Sequence, residues 1–432
     1  MSNFSNFKNL FSIPNETIYL CGNSLGPPLK SMGNAVNEFL EDEWGQELVK
    51  GWNSKGWFSQ AKSIGNQLST ILGAQEDTII VGDTLSTQVF QALTCALKLN
   101  SNRKYILTDS GNFPADIYIA QGLLKIFDGK YEIKIVDPEN IIEAIDDEVA
   151  VVMLTEADYR TSRLHDMKKI TEIAHNNGAL TVWDLAHSAG AVPINLENAK
   201  ADFAVGCTYK YLNGGPGSPA FIYVSPNHLN SIEPALFGWH GHIAPFDFSL
   251  DYEASKDIDK MRIGSPSIIS FASLKHALDI WDDIDLQELR LRSIELSELF
   301  ISEIEKLSLN FTLACPRDPQ LRGSQVSFRV ENGYELMQAL IEKKLIGDFR
   351  APNLIRFGIS PLYIGSKGLP PTNPLQISVP PLKEIIHASG FTFSLNHSNP
   401  SGGKGDPVEP KDCILFILLF FVKSIPSFIQ NR

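Results

Sequence analysis

The sequence predicts an α/β fold with a mostly parallel central sheet and a smaller C-terminal α+β domain. Three observations lead there. Short apolar runs alternate with helical patterns through the middle of the chain, as successive βα units do. One run, "VAVVMLT" (149–155), is almost wholly apolar, as a strand buried on both faces must be. At 432 residues the chain is too long for one compact core and suits two lobes.

Taken in order, "KYILT" (104–108) and "YEIKIVD" (131–137) read as strands, followed by 149–155. Leu164, Met167, Ile170 and Ile173 then recur at helical spacing, and Asn176, Asn177 and Gly178 stop that helix. Strands "ALTVW" (179–183), "FAVGC" (203–207) and "AFIYV" (220–224) come next. Residues 271–281 and 286–307 read as amphipathic helices leading out of the large domain. "SQVSFRV" (324–330) alternates like a strand, and 334–343 like a helix. After Gly365 the chain turns rich in Pro and Gly, with "NHSNPSGGKGDPVEP" reading as linker. The expected division is an N-terminal segment (1–50), a large domain (51–265), a small domain (266–365) and an atypical, partly disordered tail (366–432).

Composition narrows the function. A net charge of -13 argues against a nucleic-acid partner and against docking on anionic membranes. Five scattered cysteines (Cys21, Cys95, Cys207, Cys315, Cys413) make neither a disulfide framework nor a CxxC pattern, which points to a reducing compartment, the cytoplasm. The first residues lack the basic and apolar regions of a signal peptide. The apolar run Cys413 to Val422 is too short to span a bilayer, which takes about 20 residues.

Two stretches carry the chemistry. "TVWDLAHSAG" puts Asp184 and His187 just past one apolar run, and "GCTYKYLNGGPG" puts Tyr209 and Lys210 past another. In a parallel sheet, ligands sit beyond the strand C-termini. An Asp, a His, a Tyr and a Lys converging there suit pyridoxal phosphate (PLP): the lysine forms a Schiff base and the aspartate pairs with the pyridinium nitrogen. The glycines after Lys210 would let backbone approach a bulky cofactor. Against this, Lys210 could be a solvated loop lysine, and Asp184 a helix N-cap.

"VGDTLSTQVFQAL" (81–93) reads as strand, hydroxyl-rich turn and helix. The helix N-terminus is a natural phosphate site, to which Leu85 brings its N–H and Ser86 its hydroxyl; plain capping is the competing reading. Phe113 in "NFPADIY" could stack on a planar ring or be a core aromatic. "GWHGH" (238–242) would put His240 and His242 on one side of a strand, but no third ligand is evident and a metal is not expected. Neither a Walker A motif nor GxGxxG after a strand is present.

The combination of "YLCGNSLGPP", "NFPAD", "LTEADYRTSRLHDM", "WDLAHSAGA", "TYKYLNGGPG", "GWHGH" and "LIRFGISPLYIG" resembles the kynureninase family, from about Tyr19 to Gly365. The resemblance implies a PLP fold-type I enzyme (aspartate aminotransferase-like, class V group). It would act as a homodimer that hydrolyses L-kynurenine, and possibly 3-hydroxykynurenine, to the anthranilate and L-alanine, within tryptophan degradation or NAD biosynthesis. By resemblance Lys210 is the Schiff-base lysine. Asp184 pairs with the ring nitrogen beside His187, and Phe113 stacks within the cofactor segment Phe113, Pro114, Ala115 and Asp116. Leu85, Ser86 and Tyr209 match phosphate-binding positions, and Thr155 a further cofactor contact. Trp239 and Ser265 match residues that reach the cofactor from the partner subunit, and Arg356 matches the arginine for the substrate α-carboxylate. Lys210 is the expected base at the α-carbon. Tyr209 is the expected proton shuttle, its phenol pKa lowered by the adjacent lysine and cofactor ring. The resemblance stops after Gly365. Three alternatives are a cysteine desulfurase using Cys315, a simple transaminase, and an inactive product of an altered gene end.

Overall fold

The computed structural model describes residues 4–307 and 309–364, within one compact unit, Met1–Gly365. The expectations for the tail and for the apolar run at 413–422 lie outside the described residues. The division at 265 is kept as a proposed one.

The strands, in chain order, are β1 (Ile18–Tyr19), β2 (Ile79–Val81), β3 (Tyr105–Asp109), β4 (Glu132–Val136), β5 (Val149–Thr155), β6 (Leu180–Asp184), β7 (Phe203–Gly206) and β8 (Phe221–Val224). Seven of them form the main sheet in the order β2-β8-β7-β6-β5-β3-β4. From β4 to β7 every pairing is parallel. β8 runs antiparallel to both of its neighbours. All seven residues of β5 are buried, which is why that strand carries no polar alternation.

Helices cover the faces. The first three, α1 (Trp57–Leu72), α2 (Leu85–Leu99) and α3 (Pro114–Ile126), come before β4, and α4 (Met167–Asn176) sits between β5 and β6. α1 lies on β2, and α2 crosses β5 to β8, so α2 is buried almost throughout. Asp166 caps α4 by accepting from the Lys169 N–H at 3.0 Å. Trp183, buried on β6, ties that strand to α4 by donating to Thr171 Oγ1 at 3.1 Å. This anchors the strand whose last residue is Asp184.

In the C-terminal half, α5 (Ile268–Leu278) packs against α1, and α6 (Leu286–Lys306) precedes a second sheet. That sheet holds β9 (Thr312–Leu313), β10 (Gln325–Arg329), β12 (Asp348–Arg350) and β13 (Leu354–Gly358) in the order β12-β13-β10-β9, all antiparallel. α7 (Gly333–Glu342) packs on β12 and β13. β11 (Leu345–Ile346) pairs in parallel with β1, Ile18 opposite Leu345. The N-terminal segment is thereby paired with the strand that precedes β12, in a two-stranded sheet of its own.

At the N-terminal edge of the main sheet, buried Asp202 accepts from His175 Nε2 at 2.8 Å and pairs with His228 Nε2 at 2.7 Å. Burial opposes ionisation of Asp202, but the two histidine hydrogen bonds outweigh it and hold the carboxyl below its usual range. The same bond to Asp202 raises the pKa of His175. A raised histidine stabilises fully below its unfolded value of about 6.5 and loses that contribution as pH rises through the folded value. A lowered aspartate stabilises above its unfolded value of about 3.9 and loses the contribution as pH falls through the folded value. His175→Ala is therefore expected to lower Tm more at about pH 6 than at about pH 9. Thermal unfolding at both pH values checks this, and an equal gap at the two would show that the pair adds no charge-dependent stability.

Candidate active site

The parallel strands end together at one edge, and β5, β6 and β7 deliver the predicted residues there. Thr155 closes β5 opposite Asp184, the last residue of β6. Lys210 follows β7 in a loop closed by Thr208, whose hydroxyl lies 2.7 Å from Ser218 Oγ and 2.6 Å from the Pro219 carbonyl. Gly215 and Gly217 in that loop have φ of 95° and 74°. The turn itself therefore requires glycine there, apart from any approach to a cofactor. On its other side the loop is backed by "GNSLGPP": the Gly26 N–H donates to the Tyr209 carbonyl at 2.8 Å. A Cβ on Gly26 would stand 2.3 Å from the Lys210 carbonyl oxygen, so only glycine fits.

Lys210 Nζ donates to His187 Nε2 at 2.9 Å. Burial, and then the charges of Lys210, Arg356 and Arg350, push the His187 pKa well below its ordinary value. His187 is thus a neutral acceptor that orients the lysine, and three cations converge on it.

Asp184 Oδ1 accepts from the Ala186 N–H at 2.8 Å. The capping role weighed above thus takes the form of a local turn on one oxygen. Burial pushes its pKa up to about 6. Asp116, in the first turn of α3, is buried beside it. Burial and the Asp184 charge hold Asp116 well above the carboxylate range. Two such carboxyls do not both ionise, so Asp116 keeps the proton and Asp184 carries the charge. Asp116 Oδ2 has no hydrogen-bond partner among the described residues. A buried carboxyl pair that carries one negative charge, on Asp184, fits the protonated ring nitrogen of PLP.

Phe113 is the N-cap residue of α3, with Pro114 at the first helical position, where no N–H is needed, and Ala115 after it. Phe113 is 39% exposed, and its one ring contact among the described residues is a T-shaped one with Tyr159, at 5.1 Å and 88°. It is therefore not a plain core aromatic, and its exposure leaves ring surface available for stacking. Leu85 and Ser86 open α2, where Thr84 caps only the Thr87 N–H. The Leu85 and Ser86 N–H groups are left for an anion.

Two expectations need correction. The Tyr209 phenol is raised, by burial and then by the Cys207 thiol. Lys210 lies 5.8 Å over its ring but hydrogen-bonds His187, so the neighbouring lysine does not lower the phenol. The "GWHGH" histidines are not on a strand, since Trp239–Gly241 is a short 3₁₀ turn. His240 is buried and accepts from Arg262 Nη2 at 2.7 Å, whereas His242 accepts from the Ala244 N–H at 2.9 Å. Trp239 and Ser265 are exposed, and no described contact joins them to the Lys210 cluster.

Arg356, on β13, is buried and lies opposite Asp348 of β12. Its Nε and Nη2 donate to the two Asp348 oxygens at 2.6 and 2.5 Å. Its Nη1 donates to the Tyr159 carbonyl, and its Nη2 also to Ser24 Oγ at 3.1 Å. Sequence reasoning missed Ser24, Tyr159, Asp348 and Arg350. It also missed Glu156, next to Thr155, which burial pushes up to about 7 and whose Oε2 has no partner among the described residues. The charged alternation of "DFR" across a turn from "LIRFG" was the available signal. Cys315, the desulfurase candidate, is buried and its thiol raised by burial, unlike a mobile nucleophile.

The family model described as the kynureninase C-terminal domain matches residues 289–369. The kynureninase of Pseudomonas fluorescens is 44% identical over 361 residues, covering 82% of this chain and 86% of that protein. The kynureninase of Burkholderia mallei (strain SAVP1) is 42% identical over 360 residues, with the same coverage. Among solved structures, a cysteine desulfurase from Thermococcus onnurineus NA1 matches with TM-score 0.70 at 18% identity, over 83% of this chain and 93% of that one. A C-DES mutant with glycine covalently linked to its PLP cofactor matches with TM-score 0.71 at 17% identity, over 84% and 96%. At such identities the likeness is one of fold, the fold-type I architecture expected above.

Proposed function

The chain belongs to the kynureninase family, and we propose from that premise that it hydrolyses L-kynurenine to anthranilate and L-alanine with PLP as cofactor. One observation carries the reading: Lys210 bonds neutral His187 and its charge reaches the buried Asp184–Asp116 pair, while the charges of Arg350 and Arg356 also reach His187. That set suits an α-amino acid whose α-carboxylate needs a cation and whose α-proton needs a base.

Lys210, Asp184, His187, Phe113 and the α2 N-terminus would hold the cofactor, which when bound supplies an electron sink at the α-carbon. Asp184 would present a negative charge to the ring nitrogen of a bound cofactor, and Asp116 would hold the neighbouring proton. Lys210 takes the proton from the substrate α-carbon, and His187, accepting its hydrogen bond, fixes where the amine points. Tyr209 stands next to the lysine as the group that shuttles a proton during hydration of the γ-ketone and cleavage, in which Cγ departs as the anthranilate carboxyl carbon and Cβ gains the proton. Its raised pKa suits an acid better than a base. Arg356 takes the α-carboxylate. Water attacks the γ-ketone, and the Cβ–Cγ bond breaks to give the two products.

We further propose a homodimer. Trp239, Phe246 and Phe248 form an exposed aromatic cluster: Trp239 stacks on Phe248 at 6.4 Å and meets Phe246 edge-on at 6.0 Å. Such a patch on a soluble protein marks an interface, and Trp239 would reach the partner's site from it. A cytoplasmic location fits the free buried cysteines Cys21, Cys95, Cys207 and Cys315. No helix among the described residues is long and apolar enough to cross a membrane.

The test is incubation of the purified, PLP-loaded full chain with L-kynurenine. Anthranilate fluorescence with an equal yield of alanine is the expected result. Amino-group transfer to a keto acid without anthranilate would make it a transaminase, and sulfide release from cysteine a desulfurase.

A further inference from the structure

We propose that Asp348 is the positioning residue of the substrate-carboxylate seat: it fixes the Arg356 guanidinium and leaves Arg350 to restore the net positive charge. The proposal rests on the kynureninase reading, in which Arg356 receives the α-carboxylate, and names what makes that arginine competent.

The argument begins with register. Asp348 and Arg356 are direct partners across β12 and β13, so the sheet itself sets their separation. Both carboxylate oxygens accept from Arg356, from Nε at 2.6 Å and Nη2 at 2.5 Å. A guanidinium has five N–H donors in a rigid fork. Asp348, Ser24 Oγ and the Tyr159 carbonyl take four, which leaves one Nη1 hydrogen without a partner among the described residues. The fork is thus locked with a single donor free.

Its neighbours lead back to the catalytic crevice. The Tyr159 carbonyl that receives Nη1 belongs to the residue whose ring meets Phe113. The Ser24 hydroxyl donates to Asp348, from the same loop that backs Tyr209 and Lys210. The charges of Arg356 and Arg350 are both felt at His187.

Two effects of Asp348 oppose each other. Its negative charge weakens attraction for a second carboxylate. Its bidentate hold removes rotamer freedom from Arg356 and compensates a charge that is 1% exposed, which would otherwise be buried and unpaired. Arg350 decides the balance. Its Nη2 lies 3.3 Å from Asp348 Oδ2, and it is itself part-exposed. Two guanidiniums share one carboxylate, so the seat stays cationic while its central arginine is held still.

The test uses the PLP-loaded full chain and two probes, L-alanine and L-alaninamide, titrated against the cofactor absorbance. L-kynurenine kinetics run in parallel. Asp348→Asn is expected to weaken L-alanine binding and raise the L-kynurenine KM by about tenfold or more. L-alaninamide binding, kcat and cofactor content should stay within about threefold. Asp348→Glu, which keeps the charge, should recover part of the loss and carries the test if Asp348→Asn does not fold. Tighter L-alanine binding in Asp348→Asn would overturn the proposal, because charge would then outweigh positioning. Equal weakening of both probes together with cofactor loss would overturn it too, by showing a merely structural role. A wild-type chain that binds L-alanine but releases no anthranilate would remove the kynureninase reading while leaving the Asp348 comparison intact.

Discussion

Lys210→Ala is expected to abolish turnover of L-kynurenine, a fall of more than about 10⁴-fold, because one side chain both anchors the cofactor and moves the α-proton. The geometry supports both tasks. Nζ is half-buried at the strand edge and aimed by its 2.9 Å bond to His187. That histidine is neutral, held well below its ordinary pKa by burial and by the surrounding cations, so it accepts from the amine and does not compete for the proton. The fold should tolerate the change, because the loop is closed by Thr208, Ser218 and the glycine turn. Borohydride reduction followed by peptide mass spectrometry separates anchoring from rate. Wild-type protein should carry the reduced cofactor on Lys210, and the variant should carry none. Turnover in Lys210→Ala within tenfold of wild type would remove the lysine from the mechanism. So would labelling at another residue in the wild type.

How much of the site is legible in the sequence follows from how each group is stabilised. β5, β6 and β7 could be read because a buried strand that ends at a polar edge leaves an apolar run stopping at an ionisable residue; Asp184 ends β6 as that pattern implied. The reversal of β8 could not, because an apolar run of four residues has no direction written in it. The hairpin from β12 to β13 was hidden by its own chemistry. Asp348, Arg350 and Arg356 pair with one another across strands, and composition alone makes such residues look like solvated surface. Ser24 was out of reach for a different reason: its partner Asp348 lies 324 positions away, and tertiary contacts such as the β1–β11 pairing and the Asn23–Gln325 hydrogen bond bring that part of the chain near. For Tyr209 the sequence placed the phenol next to Lys210 but not its electrostatics, since a neighbouring lysine already hydrogen-bonded to His187 does not offset burial.

The second large effect is expected at Asp184, where substitution by asparagine distinguishes its two roles. The carboxylate makes a local bond, Oδ1 with the Ala186 N–H at 2.8 Å, and carries the one charge that the pair with Asp116 allows. An amide oxygen keeps the turn and loses the charge. If Asp184 were only a turn former, Asp184→Asn would fold and react like wild type. If its charge holds the ring nitrogen protonated, the variant folds normally but the electron sink is weakened when the α-proton leaves. A loss of about 10³-fold in kcat is then expected, in line with removal of one preorganised charge from a buried site. The neighbouring carboxyl gives a second, independent readout. Asp116 is held high by burial and by the negative charge of Asp184, so removing that charge lets its pKa fall. Wild-type activity should be lost as pH falls below the Asp184 value, about 6 in the free protein and lowered further by a bound cation. In Asp184→Asn that acid limb should disappear. Tm and the kcat–pH profile of the two proteins decide the matter. A near-normal rate with an unchanged acid limb would leave Asp184 as a residue that shapes a turn and nothing more.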